Sequence, residues 1–294
     1  MPPMLTQPPD PNPRKPRLAL PPGSIDTHIH LFGPAAQYPF HPGSKYISAD
    51  ALPQTQIDQQ DVLGLAGAVI ISGGGYGQST RHLEDVLASF GERFRGVALL
   101  PDDATLADID RLDALGVCGA RFVGESHRGA LPRLNPRIAA LIAEFGWHVQ
   151  FYPGPEDLLE KSSALLDLPT PVVLDHFACV PADGGIDQPA FKGLLKMLDT
   201  GRVWVKLSGP MRCTPGDFPY APVTPLARAL VAHAPQRLVW GSDWPHVNMN
   251  GRAMPNDGDL VDLLADWIDD EATLRMILVD NPQQLYGKFG KDVT

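Results

Sequence analysis

The chain has 294 residues, 44% of them hydrophobic, so it can bury one large core or two small ones. Its 34 acidic residues outnumber its 24 basic ones, and the formal net charge of −10 opposes binding to nucleic acid and to anionic membrane surfaces. No stretch approaches the ~18 apolar residues of a membrane-spanning helix, and the first residues lack the basic and apolar regions of a signal peptide. We therefore expect a cytoplasmic protein without a membrane anchor.

A proline-rich segment precedes the first predicted strand. Nine of the first 23 residues are proline, and no hydrophobic periodicity begins before Leu18. Such a composition does not build a packed core. We interpret residues 1–23 as an arm, either disordered or wrapped around a single domain that covers residues 24–294.

Eight apolar runs rich in β-forming residues follow, and helical spacing separates most of them. The runs cover residues 24–31, 67–73, 94–101, 117–123, 147–152, 171–177, 203–208 and 237–243. Helical spacing occurs at residues 80–90, 105–115, 135–145, 155–166, 188–198 and 224–234. Strands that are apolar on both faces and joined by helices pair in parallel. The pattern predicts an α/β fold, a (β/α)8 barrel. A doubly wound open sheet is the alternative, but no glycine-rich phosphate loop follows the first strand.

Histidines and an aspartate stand at the ends of three predicted strands, where barrel enzymes place their chemistry. Because side chains alternate along a strand, His28 and His30 point to the same face. His176 ends the sixth strand, and Asp243 ends the eighth. Alone, the histidine pair is equally consistent with hydrogen-bonded core residues. Three imidazoles and a carboxylate around one point indicate a hydrolytic site, with Asp243 as the base.

Two properties of this constellation bear on its chemistry. Asp243 lies among Trp240, Trp244 and Pro245, where burial is expected to raise its pKa toward that of a useful base. His28, His30, His176 and Asp243 could also hold one divalent metal ion, such as zinc or manganese.

Further polar residues near the strand ends are candidates for holding a substrate. Arginine can fork onto a carboxylate, and tyrosine, serine and histidine can donate hydrogen bonds. The candidates are Arg121, Arg212, Tyr46, His246, Tyr152, Ser72 and Arg128. The structural alternatives are ion pairs across the barrel mouth for the arginines and loop packing for Tyr46. Lys206 in the seventh strand could orient a substrate or pair with Asp175 or Asp243.

Several motifs resemble the amidohydrolase superfamily, specifically the amidohydrolase 2 group of TIM-barrel hydrolases, and within it the 2-pyrone-4,6-dicarboxylate lactonases. The shared motifs are Pro22-Gly23-Ser24-Ile25-Asp26-Thr27-His28-Ile29-His30-Leu31-Phe32-Gly33-Pro34, Lys45-Tyr46, Ala120-Arg121-Phe122, Leu174-Asp175-His176, and Trp240-Gly241-Ser242-Asp243-Trp244-Pro245-His246 with Asn248-Met249. The likeness runs from about residue 17 to the C-terminus.

The resemblance implies a lactone opened by water without a required metal or other cofactor, with Asp243 as base and the three histidines polarising the carbonyl. The chain departs from the family where a dicarboxylate would be held: the second arginine of the loop after the fourth strand is absent or displaced, and Val180 stands where the family has arginine. We therefore expect a small lactone with one carboxylate or several hydroxyls.

Two other functions stay open from the sequence. One is a mononuclear metal-dependent decarboxylase of the same superfamily, and the other is a ligand-binding barrel without turnover. The expected partner is a small lactone or carboxylate in each case, and the sequence leaves a homo-oligomer open.

Overall fold

Eight parallel strands stand side by side in chain order. A computed structural model of the chain describes residues 3–125, 131–154 and 156–289. The strands are β1 (Ile25–Ile29), β2 (Gly67–Ile71), β3 (Phe94–Ala98), β4 (Val117–Val123), β5 (His148–Tyr152), β6 (Val172–Leu174), β7 (Val203–Ser208) and β8 (Leu238–Gly241). All eight lie within the predicted runs, and the prediction of a (β/α)8 barrel is confirmed.

The last strand returns to the first and closes the barrel. The backbone N–H of Asp243 donates to the carbonyl of His28 at 2.9 Å. The carboxylate of Asp26 accepts from the backbone N–H of His28 and of Ser242, both at 3.0 Å. Closure therefore brings the ends of β1 and β8 into contact.

Helices cover the outside of the strands. Those before β8 are α1 (Pro53–Leu63), α2 (Arg81–Phe90), α3 (Leu106–Asp113), α4 (Pro136–Ala143), α5 (Asp157–Leu166), α6 (Pro189–Asp199) and α7 (Thr224–His233). After β8 come α8 (Asp257–Asp262), α9 (Leu264–Trp267), α10 (Glu271–Arg275) and α11 (Asn281–Tyr286), with a π-helical turn at Met276–Asp280. The helical spacing did not predict α1 or the helices after β8. In the part of the chain that the structure describes, every helix is too short or too polar to cross a membrane.

The core has an inner and an outer layer. Apolar residues of the strands fill the lower barrel, and Tyr286 of α11 closes it from below. This inner cluster comprises Ile25, Val69, Ile71, Val97, Val173, Trp204, Val239 and Tyr286. The other face of each strand packs against the helices, as α2 shows by burying Leu83, Val86 and Leu87.

The sixth predicted strand extends too far at its carboxyl end. The sixth apolar run extends to Phe177, but β6 ends at Leu174. Residues 176–179 all have φ between +50° and +55°, in the left-handed region that a strand cannot include. His176 therefore lies in a tight turn after β6 rather than in the strand.

The proline-rich arm lies on the barrel domain. Met4–Leu5 pairs in parallel with Tyr46–Ile47 in the segment after β1. Farther along, Arg14 and Arg17 contact Asp262 of α8. The described part of the arm thus runs from the mouth of the barrel to its outer face.

Candidate active site

Three imidazoles surround one carboxylate oxygen at the carboxyl end of the barrel. The Nε2 atoms of His28, His30 and His176 lie 3.7, 3.6 and 3.8 Å from Oδ1 of Asp243. All four residues are buried, with exposed fractions of 4% or less. The structure thus brings together the four residues that the sequence selected, although they come from β1, the residue just after β1, the turn after β6 and the turn after β8.

Backbone conformation aims two of these side chains into the site. Asp243 has φ of +69° and His176 has φ of +50°, both unusual for residues with a side chain. Two glycines leave room for the side chains of His176 and His28. At Gly209, whose own φ is +52°, an added Cβ would lie 2.7 Å from Nδ1 of His176. At Gly241 an added Cβ would lie 2.6 Å from Cβ of His28.

The second nitrogen of each imidazole fixes the ring. Nδ1 of His30 lies 2.7 Å from the carbonyl oxygen of Ile71. Nδ1 of His28 lies 3.3 Å from Oδ1 of Asp175. Because a carbonyl and a carboxylate only accept, these Nδ1 atoms donate, and in the neutral rings both Nε2 atoms carry a lone pair.

His176 differs from the other two histidines. Its Nδ1 lies 2.9 Å from Oγ of Ser208, a hydroxyl that can donate or accept. When the hydroxyl donates, Nε2 of neutral His176 carries the proton. His176 is therefore the imidazole best placed to donate a hydrogen bond toward the centre without becoming charged.

Electrostatics hold Asp243 ionised. Burial alone would raise its pKa, but the Arg212 guanidinium and the neighbouring imidazoles outweigh burial and hold that pKa well below its ordinary value. Arg212 donates two hydrogen bonds to Oδ2 of Asp243, at 2.8 and 3.1 Å. The expectation of a raised pKa for Asp243 is therefore wrong. The sequence showed the tryptophans but not that an arginine 31 residues away would reach the carboxylate.

Burial acts in the opposite direction on the histidines. It lowers the pKa of His176 to about 4 and holds the pKa of His28 well below its ordinary value. Both rings are therefore neutral at pH 7.

A buried network of charges supports the site from below. Oδ2 of Asp175 accepts two hydrogen bonds from Arg121, at 2.9 and 3.1 Å, and Oδ1 accepts one from Gln150 at 2.8 Å. Lys206 donates to Gln150 at 2.9 Å and lies 3.5 Å from Nδ1 of His28. The pairing of Lys206 with Asp175 occurs at 3.8 Å. The network orients His28. It also occupies part of the Arg121 guanidinium, which donates to Asp175.

A cavity of about 520 Å³ opens above this centre. Of the predicted substrate contacts, Arg121, Arg212, Tyr46 and Tyr152 line it. Two others do not belong to the described lining. Ser72 is buried, with no hydrogen-bond partner for its Oγ among the described residues. His246 is fully buried, and its Nε2 lies 3.0 Å from Oδ1 of Asp257. Arg128 lies outside the described residues.

The sequence reasoning assigned no role to several residues of the cavity wall. Lys45 and Arg252 add positive charge, Asn248 adds an amide, and Met4 reaches the cavity from the arm. Lys45 could have been inferred from its neighbour Tyr46. Met4 and Arg252 carried no local signal, because only the folded chain brings them to the barrel mouth.

The donor set fits a single metal ion. His28, His30 and Asp243 offer ligand atoms within 4.8 Å of one another, and so do His28, Asp175 and His176. Lone pairs on Nε2 of His28 and His30, each fixed by a hydrogen bond from Nδ1, match the way histidine ligands are held in proteins. The converging lone pairs and the carboxylate favour a cation at this centre.

Fold and site together define a parallel (β/α)8 barrel enzyme with a histidine and carboxylate centre at the carboxyl ends of the strands. A family model described as Amidohydrolase matches residues 25–288, and the chain belongs to this family. The resemblance seen in the motifs is confirmed.

Three known proteins illustrate the relationship. The chain is 36% identical to a 2-pyrone-4,6-dicarboxylate hydrolase of Comamonas testosteroni, covering 94% of this chain and 93% of the relative. It is 34% identical to a 4-sulfomuconolactone hydrolase of Hydrogenophaga intermedia, covering 94% and 92%. A solved structure from Agrobacterium tumefaciens is similar with a TM-score of 0.81 and 28% identity, covering 92% and 98%.

Proposed function

We propose that this protein hydrolyses a small lactone that carries an anionic group. The observation that supports this most directly is a carboxylate ringed by three imidazoles at the floor of a cavity lined by arginine and lysine. The names of the two curated relatives described above refer to hydrolysis of lactones, in agreement with the function expected from the sequence. A lactone carbonyl is electrophilic enough for water to attack when hydrogen bonds stabilise the oxyanion.

In the proposed mechanism, Asp243 accepts a proton from water while the water oxygen attacks the carbonyl carbon. The carbonyl oxygen becomes an oxyanion, which the Nε2–H of His176 stabilises. The ring C–O bond then breaks, and Asp243 returns the proton to the leaving oxygen. The new carboxyl group releases its proton to solvent, so that the product gains one carboxylate and one hydroxyl group. Arg212 keeps Asp243 ionised and oriented at the cost of making it a weaker base.

His28 and His30 have a separate role in this proposal. In the neutral form, with Nδ1 donating, neither ring can donate through Nε2, but both Nε2 atoms could hold a divalent ion together with Asp243. Such an ion would polarise the carbonyl oxygen and lower the pKa of a bound water. Zinc and manganese both suit nitrogen and oxygen ligands.

The cationic groups of the cavity favour one anionic substituent over two. Arg212 is engaged by Asp243, and Arg121 by Asp175. Arg252 donates to the backbone carbonyl of Met211 at 2.8 Å. With its described arginines partly committed to protein, the cavity suits a muconolactone-type or sugar-acid lactone better than 2-pyrone-4,6-dicarboxylate.

The first test replaces Asp243 by asparagine, which keeps the shape and removes the base. Hydrolysis of muconolactone and of a sugar-acid lactone, followed with a pH indicator, should fall about 10³-fold in kcat. Asp269→Asn is the matched control, because its carboxylate is 81% exposed and pairs only at the surface with Arg228. Near-normal turnover by Asp243→Asn would exclude Asp243 as the base.

The second test measures metal by elemental analysis of protein purified without added metal, with activity assayed before and after chelation. About one zinc or manganese per chain together with chelator-sensitive hydrolysis would support a catalytic ion, for which His28, His30 and Asp243 are the proposed ligands. Metal-free protein of full activity would instead support hydrolysis in which His176 stabilises the oxyanion without an ion. Metal without hydrolysis of any lactone, but with loss of carboxylate from an acid, would favour the decarboxylase alternative.

A further inference from the structure

We infer that the proline-rich arm is a wall of the substrate cavity and that Met4 sets the width of its mouth. The substrate readout of this inference rests on the proposed lactonase function, whereas its accessibility readout does not. Among the described residues of the arm, Met4 lines the cavity together with His30, Tyr46 and Asp243. The first residues of the chain thereby reach the mouth of a site that is otherwise built from the barrel.

Backbone pairing holds Met4 in place. Its N–H donates to the carbonyl of Lys45 at 3.0 Å, and the N–H of Thr6 donates to the carbonyl of Ile47 at 2.9 Å. Because side chains alternate along a strand, neighbouring residues face opposite ways. Leu5 is 76% exposed and is absent from the described cavity lining, whereas Met4 lines the cavity and is 43% exposed, as a residue at its mouth would be. One short strand thus presents one apolar side chain to the site and one to solvent.

The strand that Met4 joins also contributes to the cavity. Lys45 and Tyr46 both line it, and the hydroxyl of Tyr46 accepts a hydrogen bond from the N–H of Gly75 at 3.2 Å. The ring of Tyr46 contacts Phe32 edge to face at 6.0 Å between centroids. The arm therefore adds the outermost strand to a packed wall and limits the outward movement of Tyr46.

A second attachment, at Asp262 of α8, fixes the position of the arm on the barrel domain. Oδ1 of Asp262 accepts from the backbone N–H of Arg17 at 2.7 Å and of Leu18 at 3.0 Å. Oδ2 of Asp262 accepts from the side chains of Arg14 at 2.8 Å and Arg17 at 3.0 Å. The side chain of Asp262 is only 6% exposed, whereas the side chains of Arg14 and Arg17 are 41% and 84% exposed and cover it from the solvent side. The arm is therefore held by specific hydrogen bonds to a buried carboxylate, as we expect of a segment that contributes to the site.

The surface of α8 has room for the arm only because a glycine lies beneath it. A Cβ added at Gly258 would lie 1.9 Å from the backbone carbonyl oxygen of Arg14. The next residue on the N-terminal side, Asp257, pairs with His246, which follows Asp243 by three residues. The path of the arm is thus tied to the same segment that carries the proposed base.

The consequence is selection by size at the mouth. Methionine is flexible and apolar, so Met4 can close over a small ring but obstructs a bulky substituent. Met4→Ala should raise kcat/KM for a lactone with an added phenyl substituent relative to the unsubstituted lactone about 5-fold or more. Met4→Trp should change the same ratio in the opposite direction.

Leu5 supplies the matched controls. Leu5→Ala and Leu5→Trp alter the same strand by the same groups on its solvent side, and should leave the substrate ratio unchanged. Equal effects at positions 4 and 5 would overturn the inference, because they would indicate a general effect of the strand.

The accessibility readout needs no turnover. Diethyl pyrocarbonate reacts with exposed imidazole, and His30 lies in the cavity. Mass spectrometry should find modification of His30 accelerated several-fold in Met4→Ala, in a protein lacking residues 2–8, and in Gly258→Val. Leu5→Ala should react like the unaltered chain. If the deletion fails to fold, the point variants still decide the outcome, and unchanged His30 reactivity in both Met4→Ala and Gly258→Val would overturn the inference.

Discussion

At the scale of single residues, the site depends on groups that keep Asp243 charged and the imidazoles oriented. Arg212 provides two hydrogen bonds to Oδ2 of Asp243, and the three imidazoles lie around its Oδ1. The low pKa of Asp243 means that it stays ionised through the neutral range. In the proposed mechanism, catalysis depends on the placement of a weak base, so errors of position should matter more than changes of charge at a distance.

Gly209 is the residue at which position can be tested most directly. In Gly209→Ala the new Cβ would lie 2.7 Å from Nδ1 of His176, where it would push the ring and disturb the hydrogen bond with Ser208. We expect kcat to fall roughly 10- to 100-fold, since misplacement of about 1 Å can cost that much. Steady-state kinetics and thermal unfolding should be measured together.

Gly64→Ala separates this effect from backbone strain. Gly64 has φ of +83° and ψ of +29°, also in the left-handed region, and an added Cβ there meets nothing within 4 Å. Both variants should lose about 1 kcal/mol of stability from the left-handed conformation, but only Gly209→Ala should lose activity. Equal kinetics in the two variants would show that Gly209 has no special relation to His176.

At the scale of elements, periodicity predicted the strands well because their physics is simple. A barrel strand is apolar on both faces, so it appears as a continuous run, and the eight runs locate β1 to β8. The polar residues that interrupt these runs at their ends then indicate the site. His28, His30 and Asp243 could be found in this way because each lies at or just beyond the end of a strand.

The helix α1 could not be predicted from apolar spacing, because its buried face is largely polar. Gln56, Gln59 and Gln60 are buried with exposed fractions of 3% or less. The Nε2 of Gln60 donates to Oε1 of Gln56 at 2.6 Å, and Arg93 donates to Oε1 of Gln60 at 2.9 Å. A helix whose buried face is largely glutamine leaves no hydrophobic stripe in the sequence, even though Nε2 of Gln56 and of Gln59 have no hydrogen-bond partner among the described residues.

Contacts between distant segments were also beyond sequence reasoning. The attachment of the arm joins Arg17 and Asp262, which are 245 residues apart. The pairing of Arg212 with Asp243 is a second such contact. It lowers the pKa of Asp243, which the sequence predicted to be raised. Residue type predicted that these groups could pair, but only the fold determines which partners meet.

Asp262 makes the attachment of the arm dependent on pH. Burial alone would raise its pKa, but hydrogen bonds from the Arg14 side chain and the Leu18 amide outweigh burial and lower that pKa to about 2. A carboxyl group with a lowered pKa in the folded state stabilises the fold above its unfolded pKa, about 3.9, and loses that contribution as the pH falls through its folded value. The attachment should therefore be complete at pH 5 and weaken toward pH 2.

Asp262→Asn tests this prediction. Denaturant unfolding at pH 7 should show a loss of about 1–2 kcal/mol, because hydrogen bonds to a charged group are replaced by weaker ones. The difference from the unaltered chain should stay constant down to about pH 4 and then shrink. Asp280→Asn is the control, because Asp280 pairs with Arg275 at the surface with 55% exposure. A difference that did not change between pH 5 and pH 3 would contradict the assignment.

At the scale of the whole molecule, the N-terminal part of the described chain contacts its C-terminal part at two places. The arm is attached to α8, and β1 meets β8 where the barrel closes. Such long-range contacts couple the N-terminal and C-terminal segments, so that neither can unfold without exposing the core of the other. The closure of the barrel also holds His28 against Asp243, which makes the integrity of the fold a condition for the site.

Asp26 is the residue whose removal should open this closure. Its Oδ1 accepts from the backbone N–H of His28 in β1 and of Ser242 after β8, and it is fully buried. Asp26→Leu would leave two buried N–H groups without an acceptor, each costing about 1–3 kcal/mol. We expect the free energy of unfolding in denaturant to fall by about 3 kcal/mol or more. Asp26→Asn keeps an acceptor oxygen of the same shape and should lose clearly less. If the two variants unfold at the same denaturant concentration, the carboxylate does not hold the two strands together, and the closure rests on backbone pairing and packing alone.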